Sequence, residues 1–214
     1  MAAKRTIEIL DILDKMYAQE AKCYLDHNSA WQLLIATIMS AQCTDARVNE
    51  VTKVLFVKYP SIEAFANADI SELEQDIKSV GFYHNKARNI ILCCKRLHTE
   101  YADTVPESID ELTTLAGVGR KTANVVRGNI YGIPSVVVDT HVKRISKRLG
   151  FTESEDPEKI EYDLMKKLPK DHWITYNHQV MAFGRQLCRS QNPKCQECPL
   201  AGYCRDSRQK AKAK

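Results

Sequence analysis

Residues 112–126 read LTTLAGVGRKTANVV, and this stretch limits what the chain can fold into more than any other. An apolar stretch ends at Ala116, and Gly117-Val118-Gly119 interrupts it. Arg120 and Lys121 follow, and helical spacing resumes with Ala123, Val126 and Ile130 as far as Gly132. Two glycines two apart do not belong inside a helix, where each costs about 1 kcal/mol relative to alanine. They suit a tight hairpin between two helices, where a positive φ or a close backbone approach is wanted. The pattern therefore predicts helix, Gly-rich hairpin, helix, with the second helix beginning at Arg120 or Lys121. A helix start with unpaired N–H groups and small residues is an anion site, and the repeated anion of biology is the DNA phosphate.

The rest of the chain also reads helical. Residues 6–18 place Ile7, Leu10, Ile12 or Leu13 and Met16 near one face. Asn28-Ser29 precedes a helix over residues 30–39 that is apolar on most sides, which predicts burial. Residues 40–45 interrupt it, and Asp45 is the expected cap of a helix carrying Val48, Val51, Val54 and Leu55. Ser71 with Glu74 forms a capping-box pattern, and Pro106 is the expected start of the helix leading to Leu112. Residues 81–85 break the periodicity, which resumes over residues 86–97. Asp139 precedes a basic amphipathic helix with Val142, Ile145 and Leu149 that ends at Gly150. Two further helices are expected over 156–168 and 171–187. No strand alternation and no internal repeat stands out, so the fold class is all-α.

With 214 residues the chain can bury one large core or two small ones. No window approaches 18 consecutive apolar residues, so no membrane-spanning helix is expected. The N-terminus MAAKRTIEILDILDKMY lacks the continuous apolar core of a signal peptide, which points to the cytoplasm. A net charge of +4 does not by itself indicate nucleic acid. Its distribution says more: Lys143, Arg144, Lys147 and Arg148 are grouped, and Arg205, Arg208, Lys210, Lys212 and Lys214 make a basic tail that reads as a solvated end.

Four of the eight cysteines, Cys188, Cys195, Cys198 and Cys204, crowd together as C-x6-C-x2-C-x5-C. A reduced chain with thiols at that density is more apt to bind metal than to form disulfides. Structural zinc is the first rival, yet four-cysteine zinc sites usually come as two C-x2-C pairs, and one pair is present. The wider outer spacings suit a loop around a 4Fe–4S cluster. Arg189 and Lys194 within that loop are candidates to face phosphates.

Lys121 is the chemical candidate. A helix N-terminus and partial burial both disfavour the ammonium, leaving an amine able to attack a sugar C1′ and form a Schiff base. A plain phosphate contact would use the same position. Asp139 is a natural N-cap, and the capping N–H groups would keep its carboxylate ionised beside an amine or a cationic sugar. His141 is read first as a structural polar contact and second as a catalytic acid. Gln42 and Phe82 fall at two interruptions of the helical pattern. Phe82 is either ordinary core or a wedge between bases, and Gln42 is suited to filling a gap in a base stack.

LAGVGRKTANVV, then VDTHV, then the four cysteines in that spacing resemble bacterial endonuclease III, a family of helix–hairpin–helix DNA glycosylases and abasic-site lyases. The likeness extends from LLIATIMSAQCTD through GFYHNKARNI to the cysteines. It implies an all-α fold of two helical domains flanking a DNA cleft: a six-helix barrel with the hairpin over 23–132, and an iron–sulfur domain joining 1–22 to 133–214. It implies a monomeric, bifunctional enzyme that removes oxidised pyrimidines from double-stranded DNA and cuts 3′ to the abasic site by β-elimination. Lys121 matches the Schiff-base lysine and Asp139 the essential aspartate. Gly117, Val118 and Gly119 match the phosphate-binding hairpin, with Arg120 and His141 beside the DNA. Gln42 and Phe82 match the residues that plug the gap left by a flipped base, and Cys188, Cys195, Cys198 and Cys204 match the 4Fe–4S ligands. Ala116, Phe82 and Cys43 depart from the usual proline, leucine and alanine, and bear on lesion preference rather than on reaction class. The rivals are an adenine-DNA glycosylase, whose family typically lacks the lysine, and a non-catalytic, zinc-containing DNA-binding module.

Overall fold

The computed structural model describes residues 3–18 and 23–206. Arg208, Lys210, Lys212 and Lys214 of the basic tail lie outside the described residues. Among the described residues all regular structure is helical: α1 (Lys4–Tyr17), α2 (Ala30–Met39), α3 (Asp45–Lys58), α4 (Ile62–Ala66), α5 (Ile70–Asp76), α6 (Tyr83–Tyr101), α7 (Ile109–Thr114), α8 (Arg120–Tyr131), α9 (Thr140–Arg148), α10 (Pro157–Lys167) and α11 (Trp173–Gln186), with short 3₁₀ turns between some of them. None is long and apolar enough to cross a membrane. The chain forms two compact units, Cys23–Ile133 and Met1–Lys22 with Pro134–Lys214.

The first unit is built on α2. Ser29 caps it by accepting from the Gln32 N–H, and Leu33, Leu34, Ile35, Ala36, Thr37, Ile38 and Met39 are all buried. A helix buried on every side must be surrounded, and α3, α6 and α8 pack against it. Trp31 stands edge-on to Phe56 with ring centroids 5.3 Å apart, and Phe65 joins both. Helix α3 is capped by Thr44, whose hydroxyl accepts from the Arg47 N–H, and Asp45 is its first residue rather than its cap. Val54, expected on its apolar face, is 71% exposed. Helix α5 starts at Ile70, and its cap is Asp69 rather than Ser71, because the Asp69 carboxylate reaches the Glu72 N–H at 2.9 Å. Helix α6 begins at Tyr83, earlier than the periodicity suggests. Helix α7 begins after Ser108, not at Pro106. The segment before it is held by Tyr131 Oη and Arg127 Nε, which donate to the Val105 and Glu107 carbonyls at 2.5 and 3.0 Å.

In the second unit α11 packs against α1 and α9. The buried face of α1 is Thr6, Ile9, Leu10, Leu13 and Tyr17, while Ile7 and Met16 are turned outward. The face expected from sequence is thus rotated by about one position, because the large Tyr17 ring goes inside, edge-on to Phe183. Arg5 ties this helix to the rest of the unit by donating to the Leu149 and Tyr203 carbonyls at 2.5 and 2.8 Å. The basic group on α9 is internally engaged: Lys143 pairs with Glu155 at 2.9 Å and Arg148 with Asp206 at 2.9 Å.

Candidate active-site residues and cysteine centre

The hairpin between α7 and α8 is shaped by four residues, two that anchor it and two glycines with different jobs. Leu115 and Val118 are buried at 3% and 5% exposure and anchor it, with the Val118 N–H donating to the Leu115 carbonyl at 3.1 Å. Gly117 has φ of 76°, and a Cβ there would lie 2.9 Å from Asn89 Cβ. Both backbone conformation and space therefore require glycine. Gly119 is the N-cap of α8 and provides no side-chain cap, and a Cβ on it would meet nothing within 4 Å. Its lack of a side chain serves no internal packing need. The consequence is a helix whose N-cap residue provides no side-chain cap.

Lys121 is the second residue of α8 and is exposed. The partial burial expected for it is absent, because the first turn of α8 stands clear of the core and burial begins at Ala123. Arg120 beside it is half-buried and makes interactions of its own.

Asp139 is half-buried at the start of α9, and its Oδ1 accepts from the Val142 N–H at 2.7 Å. The approach to it is fixed by Asn177, whose amide donates to the Val137 carbonyl at 3.2 Å. His178 on α11 is buried, and burial lowers its pKa more than the nearby Asp139 carboxylate raises it. Sequence inspection missed both α11 residues, since nothing in a helical pattern marks which polar positions face another segment.

His141 has a partner that the sequence did not suggest. Arg144 Nη2 donates to His141 Nδ1 at 3.1 Å and also to the Cys188 carbonyl at 3.0 Å. Gly184 leaves room for that ring: a Cβ on it would fall 2.3 Å from His141 Nδ1. These contacts agree with the structural reading of His141. Around it, Thr140, Arg144, Arg185, Arg189 and Ser190 line a polar depression. Arg189 donates to the Arg185 carbonyl at 3.2 Å.

Gln42 and Phe82 share an unusual backbone. Both are exposed, Phe82 at 64%, and both are left-handed, with φ of 55° and 48°. For residues with a side chain this conformation costs roughly 1–2 kcal/mol. Phe82 directly follows Gly81, at φ of 70°, and is the N-cap of α6. An exposed aromatic ring held in a strained turn is not ordinary core.

Cys188, Cys195, Cys198 and Cys204 line one small pocket together with Leu187, Ala201 and Arg148. The loop is wound into two 3₁₀ turns, Cys195–Glu197 and Ala201–Tyr203. Arg148 Nη1 donates to Cys188 Sγ at 3.2 Å. Burial pushes the Cys188 thiol up, and Arg148 opposes it. Four thiols lining one pocket, with the Arg148 guanidinium at its wall, fit a cluster held by thiolates.

The sequence between residues 35 and 170 matches the model of the HhH-GPD superfamily base excision DNA repair proteins, and residues 188–204 match the iron–sulfur binding domain of endonuclease III. The helical fold and the hairpin thus define a base-excision repair protein of the helix–hairpin–helix class. Endonuclease III from Synechocystis sp. is 49% identical over 207 residues, covering 95% of this chain and 94% of the relative. Endonuclease III from Bacillus subtilis is 46% identical over 204 residues, covering 95% and 93%. A solved structure described as a trapped endonuclease III–DNA covalent intermediate, an estranged-adenine complex, superposes with a TM-score of 0.91 at 47% identity, covering 99% of this chain and all of that one. The chain belongs to the endonuclease III family. It is a base-excision DNA glycosylase with abasic-site lyase activity, and it carries a 4Fe–4S cluster.

Proposed function

We propose that the chain acts as a monomer on oxidised pyrimidines and abasic sites in double-stranded DNA, with Lys121 as nucleophile. The observation that carries this reading is the exposed Lys121 in the first turn of a helix that no side chain caps. Phosphate seats on the N–H groups that follow Gly117, Val118 and Gly119, beside Arg120, and the lysine is then delivered to the adjoining sugar. Phe82 and Gln42 enter the stack where the damaged nucleotide leaves it, a departure least costly for a damaged pair.

Lys121 Nζ attacks C1′ and the base departs with its bonding electrons. Asp139 receives the proton released by the amine or steadies the positive charge on the sugar. The C1′–O4′ bond then opens, O4′ takes up a proton and C1′ becomes doubly bonded to Nζ; this Schiff base acidifies C2′, and loss of a C2′ proton breaks the C3′–O bond so that the 3′ phosphate leaves. Cys188, Cys195, Cys198 and Cys204 hold the cluster, which fixes the shape of its loop, and Lys194 in that loop is exposed toward solvent, loosely paired with Glu197 at 3.9 Å. The domain roles follow: residues 23–132 serve as a barrel bearing the hairpin, and 1–22 with 133–214 as the cluster domain. A covalent DNA intermediate has been trapped for a 47% identical relative, which supports the lysine route.

Borohydride reduction with DNA containing an abasic site or thymine glycol tests the reading. The wild type should yield a covalent adduct and Lys121→Ala none. An adduct of equal yield in the variant, or none from active wild type, overturns it.

A further inference from the structure

One buried cation lies under the Phe82 turn. Lys86 on α6 is 5% exposed. Desolvating an ammonium costs several kcal/mol unless its contacts compensate, so an apolar side chain would fill this position more cheaply. What Lys86 touches is the backbone of the turn. Its Nζ donates to the Val80 carbonyl at 2.9 Å, and its own N–H donates to the Phe82 carbonyl at 3.1 Å. The side chain therefore holds the carbonyl that precedes Gly81, the position whose φ of 70° sets the direction of the turn, while the backbone bond is the first i→i−4 bond of α6. The segment is also held from its other end, where the Gly81 N–H donates to the Lys78 carbonyl at 3.3 Å. Burial lowers the pKa of Lys86, which is the cost of holding it there.

We propose that Lys86 is a positioning residue for DNA opening: it clamps the strained turn so that the Phe82 ring is presented outward. The proposal rests on the reading of Phe82 as the wedge. A left-handed phenylalanine with an exposed ring would relax without a restraint, and the hydrogen bond from Lys86 Nζ to the Val80 carbonyl supplies one.

The test compares kcat/KM for an abasic site in duplex DNA with that for the same site in a single strand, which has no stack to open. Lys86→Met keeps the length and removes the donor. It should lower the duplex-to-single-strand ratio about tenfold, within the range of contact couplings. Phe82→Ala should lower the same ratio, and the double variant should be no lower than Phe82→Ala alone. Melting temperature is followed in parallel. If Phe82→Ala leaves the ratio unchanged, the wedge reading fails. If Phe82→Ala lowers it while Lys86→Met lowers only the melting temperature, or if the two losses multiply, the clamp fails and Lys86 is merely structural. Lys86→Leu, which likewise has no donor, replaces Lys86→Met in the cycle if that variant does not fold, with the same outcomes.

Discussion

Helices α8 and α9 carry the two residues assigned to the chemistry, and they begin in different ways. Gly119 provides no side-chain cap for α8 and no packing contact that needs its small size. Asp139 closes the start of α9 with a 2.7 Å bond from the Val142 N–H. An N-terminus left open is a place for an external anion, whereas a capped one has already spent part of its field on its own carboxylate. The same local physics thus leaves one helix start without a side-chain cap and fixes a carboxylate at the other.

The sharpest way to break this contrast is Asp139→Asn. Asparagine caps nearly as well as aspartate, so stability should hold within a few tenths of a kcal/mol. Base excision should nevertheless fall by about 10²- to 10⁴-fold, the usual weight of a proton-transfer group. Single-turnover kinetics and thermal melting, measured together, separate the two roles. Unchanged turnover would reduce Asp139 to a cap.

Gly117→Ala probes the rigidity of the open start and should act mainly on stability. The substitution meets both a φ of 76° and a contact of 2.9 Å with Asn89 Cβ. A loss of about 1–3 kcal/mol is expected in denaturant melts, with weaker DNA binding at any given salt concentration. A neutral result would mean that Asn89 swings aside and that the hairpin is more pliant than its geometry indicates.

Where a feature is local, it was legible in the sequence. The buried α2, the Asp139 cap, the Gly-rich hairpin and the end of α8 at Gly132 all follow from neighbouring residues. Choices between near-equivalent local options were misread: Asp69 outcompetes Ser71 as a cap, Thr44 outcompetes Asp45, and Tyr17 decides which face of α1 goes inside. Periodicity cannot choose between two caps two residues apart or two faces rotated by one position. Contacts between distant segments left no signal at all. Arg144 bridging His141 to the Cys188 carbonyl and Gly184 making room for the imidazole depend on packing that no single helix encodes. Nothing in the sequence marks Lys86 as buried or as a donor to the Val80 carbonyl.

The smallest expected change in stability tests the comparison most directly, because it converts one helix start into the other. Gly119→Asp places on α8 the cap that α9 already has, at a position with φ of −90° and no atom within 4 Å of the new Cβ. Relative to glycine, aspartate at an N-cap gains a few tenths of a kcal/mol, and its charge complements the helix dipole. The variant should therefore melt at the same temperature or slightly higher. Its DNA affinity should drop, because the carboxylate occupies the N–H groups and repels the phosphate. The fall of log K with log[salt] should become shallower by about one phosphate contact. Gly119→Ala, which adds no acceptor and no charge, separates the effect of the cap from that of the extra carbon. If Gly119→Asp binds DNA as tightly as the wild type, the open start of α8 is not where the phosphate sits. The exposed Lys121 would then have to reach its sugar without a phosphate anchored at that helix start.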